Sequence, residues 1–139
     1  MPHTDLAPSL RTAVIRLARR LRLEDSATGS TISQLSALAV IEKHGPITLR
    51  DLATRERVQP PTMTRLVAHL EDDGLVRRSG DPADGRVVLV QTTAEGDRAL
   101  ADSRSRRTAF LVAHLGELDD ADRDLLRRAV PLLERLADS

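Results

Sequence analysis

The sequence predicts a mainly α (α+β) fold for this chain of 139 residues. Along most of its length apolar residues recur at spacings of three and four, the period of helices that bury one face. Only residues 75–92 change to the two-residue period of strands and carry turn signals, so they predict one hairpin. Phe110 is the sole aromatic residue among 40% apolar residues, and the core must therefore be aliphatic.

The first predicted helix spans Ala7–Leu23. Its apolar residues form a narrow seam with alternating steps of three and four residues: Ala7, Leu10, Val14, Leu17 and Leu21. Such a seam is typical of a helix that packs against another helix. Arginines cover the other sides of this helix, where a solvated charged surface is a simpler interpretation than a ligand site.

Two more helices are predicted from their N-terminal caps. Thr31–Gln34 has the form of a capping box, in which the threonine accepts from the amide three residues on and the glutamine reaches back. A second helix should run from there to about Lys43. Ile47 is expected as a remnant of a strand, and Thr48 can cap a third helix over Leu49–Arg57.

The stretch Gln59–Asp73 predicts a short helix with one buried face and one free face. Its apolar residues fall at i, i+3, i+4 and i+7: Met63, Leu66, Val67 and Leu70. The opposite face has no bulky hydrophobe: Thr62, Thr64, Arg65, Ala68 and His69. Prolines suit its first turn, and Gly74 suits a left-handed C-terminal cap. Two short helices joined by a tight turn, the second with a free face, indicate a helix-turn-helix.

The hairpin is predicted as strands Leu75–Ser79 and Arg86–Thr92 with a long polar tip over residues 80–85. Arg86 stands at the base of the tip, where its long side chain can reach past the hairpin. Because this hairpin follows the free helix, the combination predicts a winged helix-turn-helix.

The C-terminal part predicts two more helices. Thr92–Glu95 reads as a second capping box opening a long helix to Leu115, and Asp119 should cap the last helix. Pro131 is expected to kink that helix or to begin a new segment. The terminal helices carry more apolar surface than a small winged helix covers. We therefore predict one intertwined domain, with a winged helix-turn-helix at 31–92 and a helical dimerisation region at 1–30 and 93–139.

Composition excludes several classes of protein. The 21 basic and 21 acidic residues balance, so no global field attracts nucleic acid, and DNA affinity must come from local arrangement. Cysteine is absent, and no apolar segment is long enough for a signal peptide or a membrane span, which predicts a cytoplasmic protein without membrane contact. No cofactor motif is present.

Catalytic and metal sites are not predicted. The histidines His3, His44, His69 and His114 lie on unrelated elements, and no glycine-rich phosphate loop occurs, so the chain is not expected to be an enzyme. Two alternative functions stay open: a metal-responsive regulator, and a winged-helix module for protein interaction. Against the second, a helix that docks on protein more often exposes Leu, Tyr or Trp than Thr, Arg and His.

These motifs resemble the MarR family of bacterial transcriptional regulators over nearly the whole chain. The sharpest segments are 62–71, 74–76, 81–86 and 93–96. The family usually has a second basic residue where Gly85 stands and leucine where Thr92 stands, so the wing of this chain carries less charge. The resemblance implies a homodimer that binds a pseudo-palindromic operator and often represses genes until a small aromatic or phenolic effector binds between the dimer platform and the winged helix.

On this interpretation the free helix lies in the major groove of double-stranded DNA. Arg65 is the first choice for guanine readout, and Arg86 for insertion into a narrow minor groove. The full set of expected DNA contacts is Pro61, Thr62, Thr64, Arg65, His69, Arg77 and Arg86. At most one of Arg77 and Arg78 can face DNA, because neighbouring strand residues alternate. The residues expected to meet an anionic ligand are Arg16, Arg20 and His114, for which ordinary ion pairing is the alternative.

Overall fold

The computed structural model describes residues 2–25 and 31–139. Its elements follow in the order α1 (His3–Leu23), α2 (Ile32–His44), β1 (Ile47–Thr48), α3 (Leu49–Glu56), α4 (Pro60–Asp72), β2 (Val76–Asp81), β3 (Asp84–Thr92), α5 (Ala94–Leu115) and α6 (Asp120–Ala137). This mainly helical architecture with a small antiparallel sheet confirms the predicted winged helix-turn-helix.

The sheet has the strand order β1-β3-β2, so the long strand β3 lies in the centre. Ile47 pairs with Val90, and Val76 pairs with Thr92. These pairs fix which side chains point inward, since successive residues of a strand face opposite sides. Ile47, Val76 and Val90 are all buried and connect the sheet to the helices.

The core is aliphatic and is built between α2, α3, α4 and the sheet. Its largest fully buried side chains are Leu38, Ile41, Leu52, Met63, Val67, Leu70, Val90 and Leu100. Leu100 brings α5 into the same cluster. Burial of side chains of this size contributes about 1.5–3 kcal/mol each, so these few residues hold the helix-turn-helix in place.

Three of the four predicted N-terminal caps are confirmed, and one is wrong. Thr31 forms its capping box with Gln34, Thr48 accepts from the amide of Asp51, and Asp119 caps the last helix. The capping box expected at Thr92–Glu95 does not form. Thr92 is still paired in the sheet, so Thr93 is the N-cap and accepts from the amide of Gly96.

Helix ends also differ from the prediction. Helix α1 begins at His3, four residues earlier than expected, and contains Pro8. Pro8 lies beyond the first turn and cannot donate the hydrogen bond that an amide there would make to Thr4 O, yet the helix continues through it. Helix α6 continues through Pro131 to Ala137 as one element, so no new segment begins there. The left-handed φ of +76° at Gly74 confirms the predicted cap after α4.

The two terminal helices α1 and α6 contain no buried residue. They expose large apolar side chains, with exposed fractions of 41–60%: Leu6, Val14, Ile15, Leu17, Leu23, Leu125, Leu126, Val130, Leu132, Leu133 and Leu136. A single protomer therefore leaves an extended apolar surface on these helices. Across residues 2–25 and 31–139, no helix combines the length and apolarity needed to cross a membrane.

Candidate nucleic-acid interface

Helix α4 has a buried side and an exposed side. Met63, Val67 and Leu70 are at most 1% exposed. The opposite side is made of exposed or half-exposed residues: Pro61, Thr62, Thr64, Arg65, Ala68 and His69. Because the buried side chains are packed tightly in the core, the helix is held in one position. The polar side chains on its exposed side are therefore carried by a rigid element.

The N-terminal end of α4 keeps groups available for contact. Pro60 and Pro61 have no amide proton, and Gln59 supplies no side-chain cap, so the amide of Thr62 is the first donor at this end. The hydroxyl of Thr64 donates to Pro60 O at 3.0 Å, which leaves its methyl group for an apolar contact. This end of α4 therefore offers a backbone amide, which can donate to a phosphate oxygen, and a methyl group, which can contact the methyl group of a thymine.

Arg65 and His69 lie one turn apart on the exposed side of α4. Within residues 2–25 and 31–139 neither side chain forms a hydrogen bond or an ion pair. A guanidinium without an internal partner is free to pair with guanine or phosphate, and Arg65 is therefore the strongest candidate for base contact.

The wing turns more tightly than the sequence predicted. Strand β2 ends at Asp81 and β3 begins at Asp84, so a two-residue turn replaces the expected tip of residues 80–85. Asp81 Oδ1 accepts from Ala83 N at 2.9 Å, and Asp84 Oδ1 accepts from Arg86 N at 3.0 Å. The two acidic side chains thus stabilise a tight turn. Because the turn is short, the strands extend into residues 80–85, which the sequence predicts as a loop.

A bulge in β3 places Arg86 outside the strand ladder. Gly80 faces Val88, whereas Asp81 faces Asp84, so residues 85–87 have no partner on β2. The side chain of Arg86 is 93% exposed and makes one 3.4 Å contact with Asp84. A bulge of this kind re-aims a side chain, and here it presents a long cation at the rim of the hairpin.

Arg77 and Arg78 have different neighbours. Arg78 Nε lies 3.3 Å from Glu71 Oε1 and links β2 to the C-terminal part of α4. Arg77 lies opposite Gln91 in the register, and its guanidinium donates to the side-chain oxygen of that amide. Both guanidinium groups have a partner, but that of Arg78 is neutralised by a carboxylate while that of Arg77 is bonded to a neutral amide. Arg77 is therefore the better placed of the two to pair with an external anion.

The start of helix α5 is hydrogen-bonded to the residues that follow the C-terminal end of α4. Thr93 donates through its hydroxyl to Gly74 O at 2.6 Å and through its amide to Leu75 O at 3.0 Å. Gly96 packs directly on the backbone of Leu75. The start of α5 therefore follows the C-terminal end of α4, opposite to the end that carries the prolines.

A cavity of about 370 Å³ lies between α1, α2 and α5. Its walls combine apolar and charged residues: Ala18, Leu21, Arg22, Asp25, Ile32, Leu35, Ser36, Ala39, Leu100, Arg104 and Arg107. The volume is within the range of small-molecule sites. Three arginines and one carboxylate therefore border a cavity whose other walls are mostly apolar.

Most of the charges around this cavity are already paired. Arg104 Nη1 lies 3.0 Å from Glu42 Oε1, and Arg107 Nε lies 3.1 Å from Asp25 Oδ2. Asp25 is 5% exposed and also accepts from Ser103. Arg22 has no partner among the described residues and is the cavity cation most available to a ligand.

The three residues expected to meet an anionic ligand lie outside the cavity walls. Arg20 pairs with Glu24 at 2.7 Å and lies over the ring of Phe110, 4.2 Å from its centroid. The ring of His114 lies 4.1 Å from that of Phe110, centroid to centroid, at a tilt of 33°, and its Nδ1 lies 2.8 Å from Phe110 O. Arg16 borders a separate shallow depression on α1. The sequence did not predict the cavity arginines, because it does not show which sides of α1 and α5 face each other.

Electrostatics outside α4 add little positive charge. Loss of hydration and the neighbouring cations Arg55 and Lys43 lower the pKa of His44 from its usual 6.5, which favours the neutral form of this histidine. Between Thr48 and Arg86 the seven arginines match seven acids. No group of three or more metal-ligating side chains occurs within residues 2–25 and 31–139.

Comparison with known proteins agrees with this geometry. The model of the MarR family matches residues 30–88. An uncharacterized HTH-type transcriptional regulator of Mycobacterium bovis is 42% identical over 133 residues, which cover 96% of this chain and 93% of the relative. The HTH-type transcriptional repressor MdtR of Bacillus subtilis is 27% identical over 119 residues, covering 86% of this chain and 77% of that protein.

Solved structures share the fold over the full length. The crystal structure of a proposed transcriptional regulator from Pseudomonas aeruginosa is 36% identical, with a TM-score of 0.88, and the match covers 99% of this chain and 96% of that one. The family model covers the helix-turn-helix, and the mycobacterial relative covers nearly all of the chain. This protein therefore belongs to the MarR family of DNA-binding transcriptional regulators.

Proposed function

We propose that this chain is a cytoplasmic, homodimeric repressor that binds a pseudo-palindromic operator and releases it when a small aromatic or phenolic effector binds. The observation that carries the proposal is that α4 has two different sides. Its apolar side is buried in the core, while its exposed side is polar and carries cationic groups. Such a helix reads the major groove from a rigid scaffold.

The expected DNA contacts divide by type. Arg65 forks onto guanine O6 and N7, and Thr64 offers its methyl group to a thymine. Pro61, Thr62 and His69 lie where they approach the phosphates of the groove walls. Arg86, at the bulge of the wing, enters the adjacent minor groove, and Arg77 contacts the backbone beside it.

The apolar surface of the terminal helices supports the dimer. Helices α1 and α6 leave many large side chains about half exposed. Monomeric proteins rarely expose a contiguous apolar surface of this extent. A second copy of the chain covers it and also supplies the second half-site contact that a pseudo-palindromic operator requires.

The cavity between α1, α2 and α5 supports an effector site. It lies where α1 and α5 meet the winged helix, and its apolar walls suit an aromatic ring. Arg22 is the cation best placed for a carboxylate or phenolate, with Arg104 and Arg107 nearby. Arg16, Arg20 and His114 stay expected ligand residues only if the bound ligand extends beyond the cavity walls. The repressor role follows the name of the related protein of Bacillus subtilis.

The test is fluorescence anisotropy of the purified protein on DNA from its own promoter region and on scrambled DNA at two salt concentrations. We expect a specificity ratio of roughly 10³ or more, with one dimer per site and weaker binding at higher salt. Equal binding to both DNAs, or none, would overturn the proposal and favour the protein-interaction module. A metal-responsive regulator would instead bind only after addition of a divalent cation.

The effector is tested in the same assay with benzoate and phenol as an anionic and a neutral aromatic probe. We expect at least one to raise the Kd for the operator and to raise the melting temperature of the free protein. Unchanged Kd and melting temperature across a panel of such compounds would remove the aromatic effector from the proposal while leaving the DNA-binding part intact.

A further inference from the structure

Arg57 occupies an unusual backbone position in the turn between α3 and α4. It is the C-terminal cap of α3, with φ of 55° and ψ of 44°, in the left-handed region. Among the described residues it is the only non-glycine residue with a positive φ. The turn is well formed around it, since Val58 N donates to Ala53 O at 3.0 Å.

The left-handed conformation costs an arginine free energy that glycine would not lose, because its Cβ crowds the following carbonyl. The backbone hydrogen bonds of the turn do not explain the choice of arginine, because a glycine at this position would form the same bonds without the cost. The Arg57 side chain is exposed and forms no hydrogen bond or ion pair with any other described residue. Strained residues of this kind cluster at functional positions, which directs attention to a partner outside the chain.

The position of Arg57 indicates what that partner is. Arg57 lies three residues before Pro60, at the end of α4 that enters the groove in the docking proposed above. The walls of the major groove are phosphate backbones, and the turn before an inserted helix faces one of them. An exposed, always charged guanidinium with a forked set of donors matches phosphate oxygens.

The charge pattern of the winged helix singles out the same residue. The seven arginines between Thr48 and Arg86 are balanced by seven acids. Arg78 is tied to Glu71, and Arg55 lies 3.4 Å from the ring of His44. Arg57 is one of the few cations of this region without an internal partner in the described part of the chain. Its charge is therefore not neutralised within the fold and is available to an external anion.

We propose that Arg57 is a phosphate anchor that pairs with the DNA backbone bordering the groove entered by α4. This inference rests on the docking stated under the proposed function. A phosphate anchor fixes the position of the helix-turn-helix on any duplex but does not read sequence. Arg57 is thereby distinguished from Arg65, whose expected contact is with a base.

The test compares Arg57→Gly, Arg57→Lys and a charge-matched control, Arg98→Ala. Arg98 is exposed near the start of α5, which is fastened to the opposite end of α4. Each protein is melted alone and titrated against operator and scrambled DNA over a range of salt. Melting reports the backbone strain, and titration reports the phosphate contact.

For Arg57→Gly we expect a melting temperature at or above that of the wild type together with weaker DNA binding. The loss should be on the order of tenfold at 0.1 M salt, equal on both DNAs, with a salt slope shallower by roughly 1 for each bound protomer. Arg57→Lys should retain most of the affinity, and Arg98→Ala should bind like the wild type. A rise in stability with a fall in affinity cannot come from damage to the fold.

Wild-type affinity and slope in Arg57→Gly, or a loss confined to the operator, would overturn the assignment. If Arg65→Ala loses affinity in the same experiment while Arg57→Gly does not, only the anchor is wrong. If the wild-type protein binds operator and scrambled DNA equally, the proposed function fails, and the loss in Arg57→Gly on either DNA still decides the anchor. If the wild-type protein binds neither DNA, the proposed function and the anchor both fail.

Discussion

Ser103 Oγ donates a 2.7 Å hydrogen bond to Asp25 Oδ1, joining the middle of α5 to the C-terminal end of α1 across 78 positions of sequence. Both residues are buried, with exposed fractions of 0% and 5%. Arg107 Nε lies 3.1 Å from Oδ2 of the same carboxylate, and Arg106 Nη2 lies 3.7 Å from its Oδ1. A terminal helix and the long helix below the winged helix are therefore connected by a buried polar contact that borders the cavity.

Replacement of Ser103 by alanine should destabilise the fold. The substitution removes one donor from a buried carboxylate, which costs about 1–3 kcal/mol. Ser105→Ala is the matched control, because Ser105 lies on the same helix and is exposed. Chemical denaturation of both variants measures the difference, and equal unfolding midpoints would show that the contact contributes nothing to stability.

Gly96→Ala should be strongly destabilising. A Cβ at this position would collide with the carbonyl oxygen of Leu75 and lie 3.1 Å from its carbonyl carbon, so backbone would have to move. Overpacking of this kind costs about 1–3 kcal/mol or more. Gly80→Ala is the control, since nothing lies within 4 Å of a Cβ there. Thermal unfolding compares the two, and similar melting temperatures would contradict the tight approach of α5 to the end of α4.

Arg65→Ala should weaken binding to the specific operator by about 1–3 kcal/mol and relax base preference at one position in each half-site. The physical reason is the loss of a bidentate contact from an arginine that has no partner in the described part of the chain. Anisotropy on operator variants measures it. An equal loss on operator and on random DNA would assign Arg65 to a phosphate instead of a base.

Arg86→Ala should lose most affinity on operators whose flanks have a narrow, A/T-rich minor groove. Such grooves concentrate negative potential and attract an inserted arginine. The measurement is a binding titration on operators that differ only in their flanks. Insensitivity of the loss to the flanking sequence would exclude minor-groove insertion by the wing.

Removal of apolar side chains from α6 should weaken the dimer. Leu132 and Leu136 are 51% and 60% exposed in the protomer, and covering each contributes up to about 1.5–3 kcal/mol per side chain. Leu132→Ser/Leu136→Ser should dissociate at higher concentration in sedimentation velocity than the control Arg127→Ser/Glu134→Ser. An unchanged dimer in the leucine variant would place the association surface elsewhere.

Elements whose signals are local were predicted well from the sequence. The caps at Thr31, Thr48 and Asp119 depend on contacts within four residues, and the structure has each of them. The two faces of α4 follow in the same way from a 3.6-residue period. The start of α5 was misplaced because the pairing of Thr92 with Val76 decides where the helix can begin, and that pairing is not local.

The candidate effector site shows where sequence reasoning stops. Arginines surround α1 and α5 on several sides, and only the packing of these helices decides which of them line the cavity. Arg107 lines the cavity, whereas Arg20 rests on Phe110 instead. The wing tip was misjudged for a similar reason, since the side chains of Asp81 and Asp84 close a tight turn that composition alone describes as a loop.

Helix α5 is one continuous rod that connects the cavity to the end of α4. Its 22 residues measure about 33 Å end to end, with the cavity beside its middle and the C-terminal end of α4 clamped to its start. A tilt of only about 5° along a rod of that length moves its far end by roughly 3 Å. In the proposed dimer, we therefore expect a small adjustment beside Leu100 or Arg107 to change the distance between the two copies of α4.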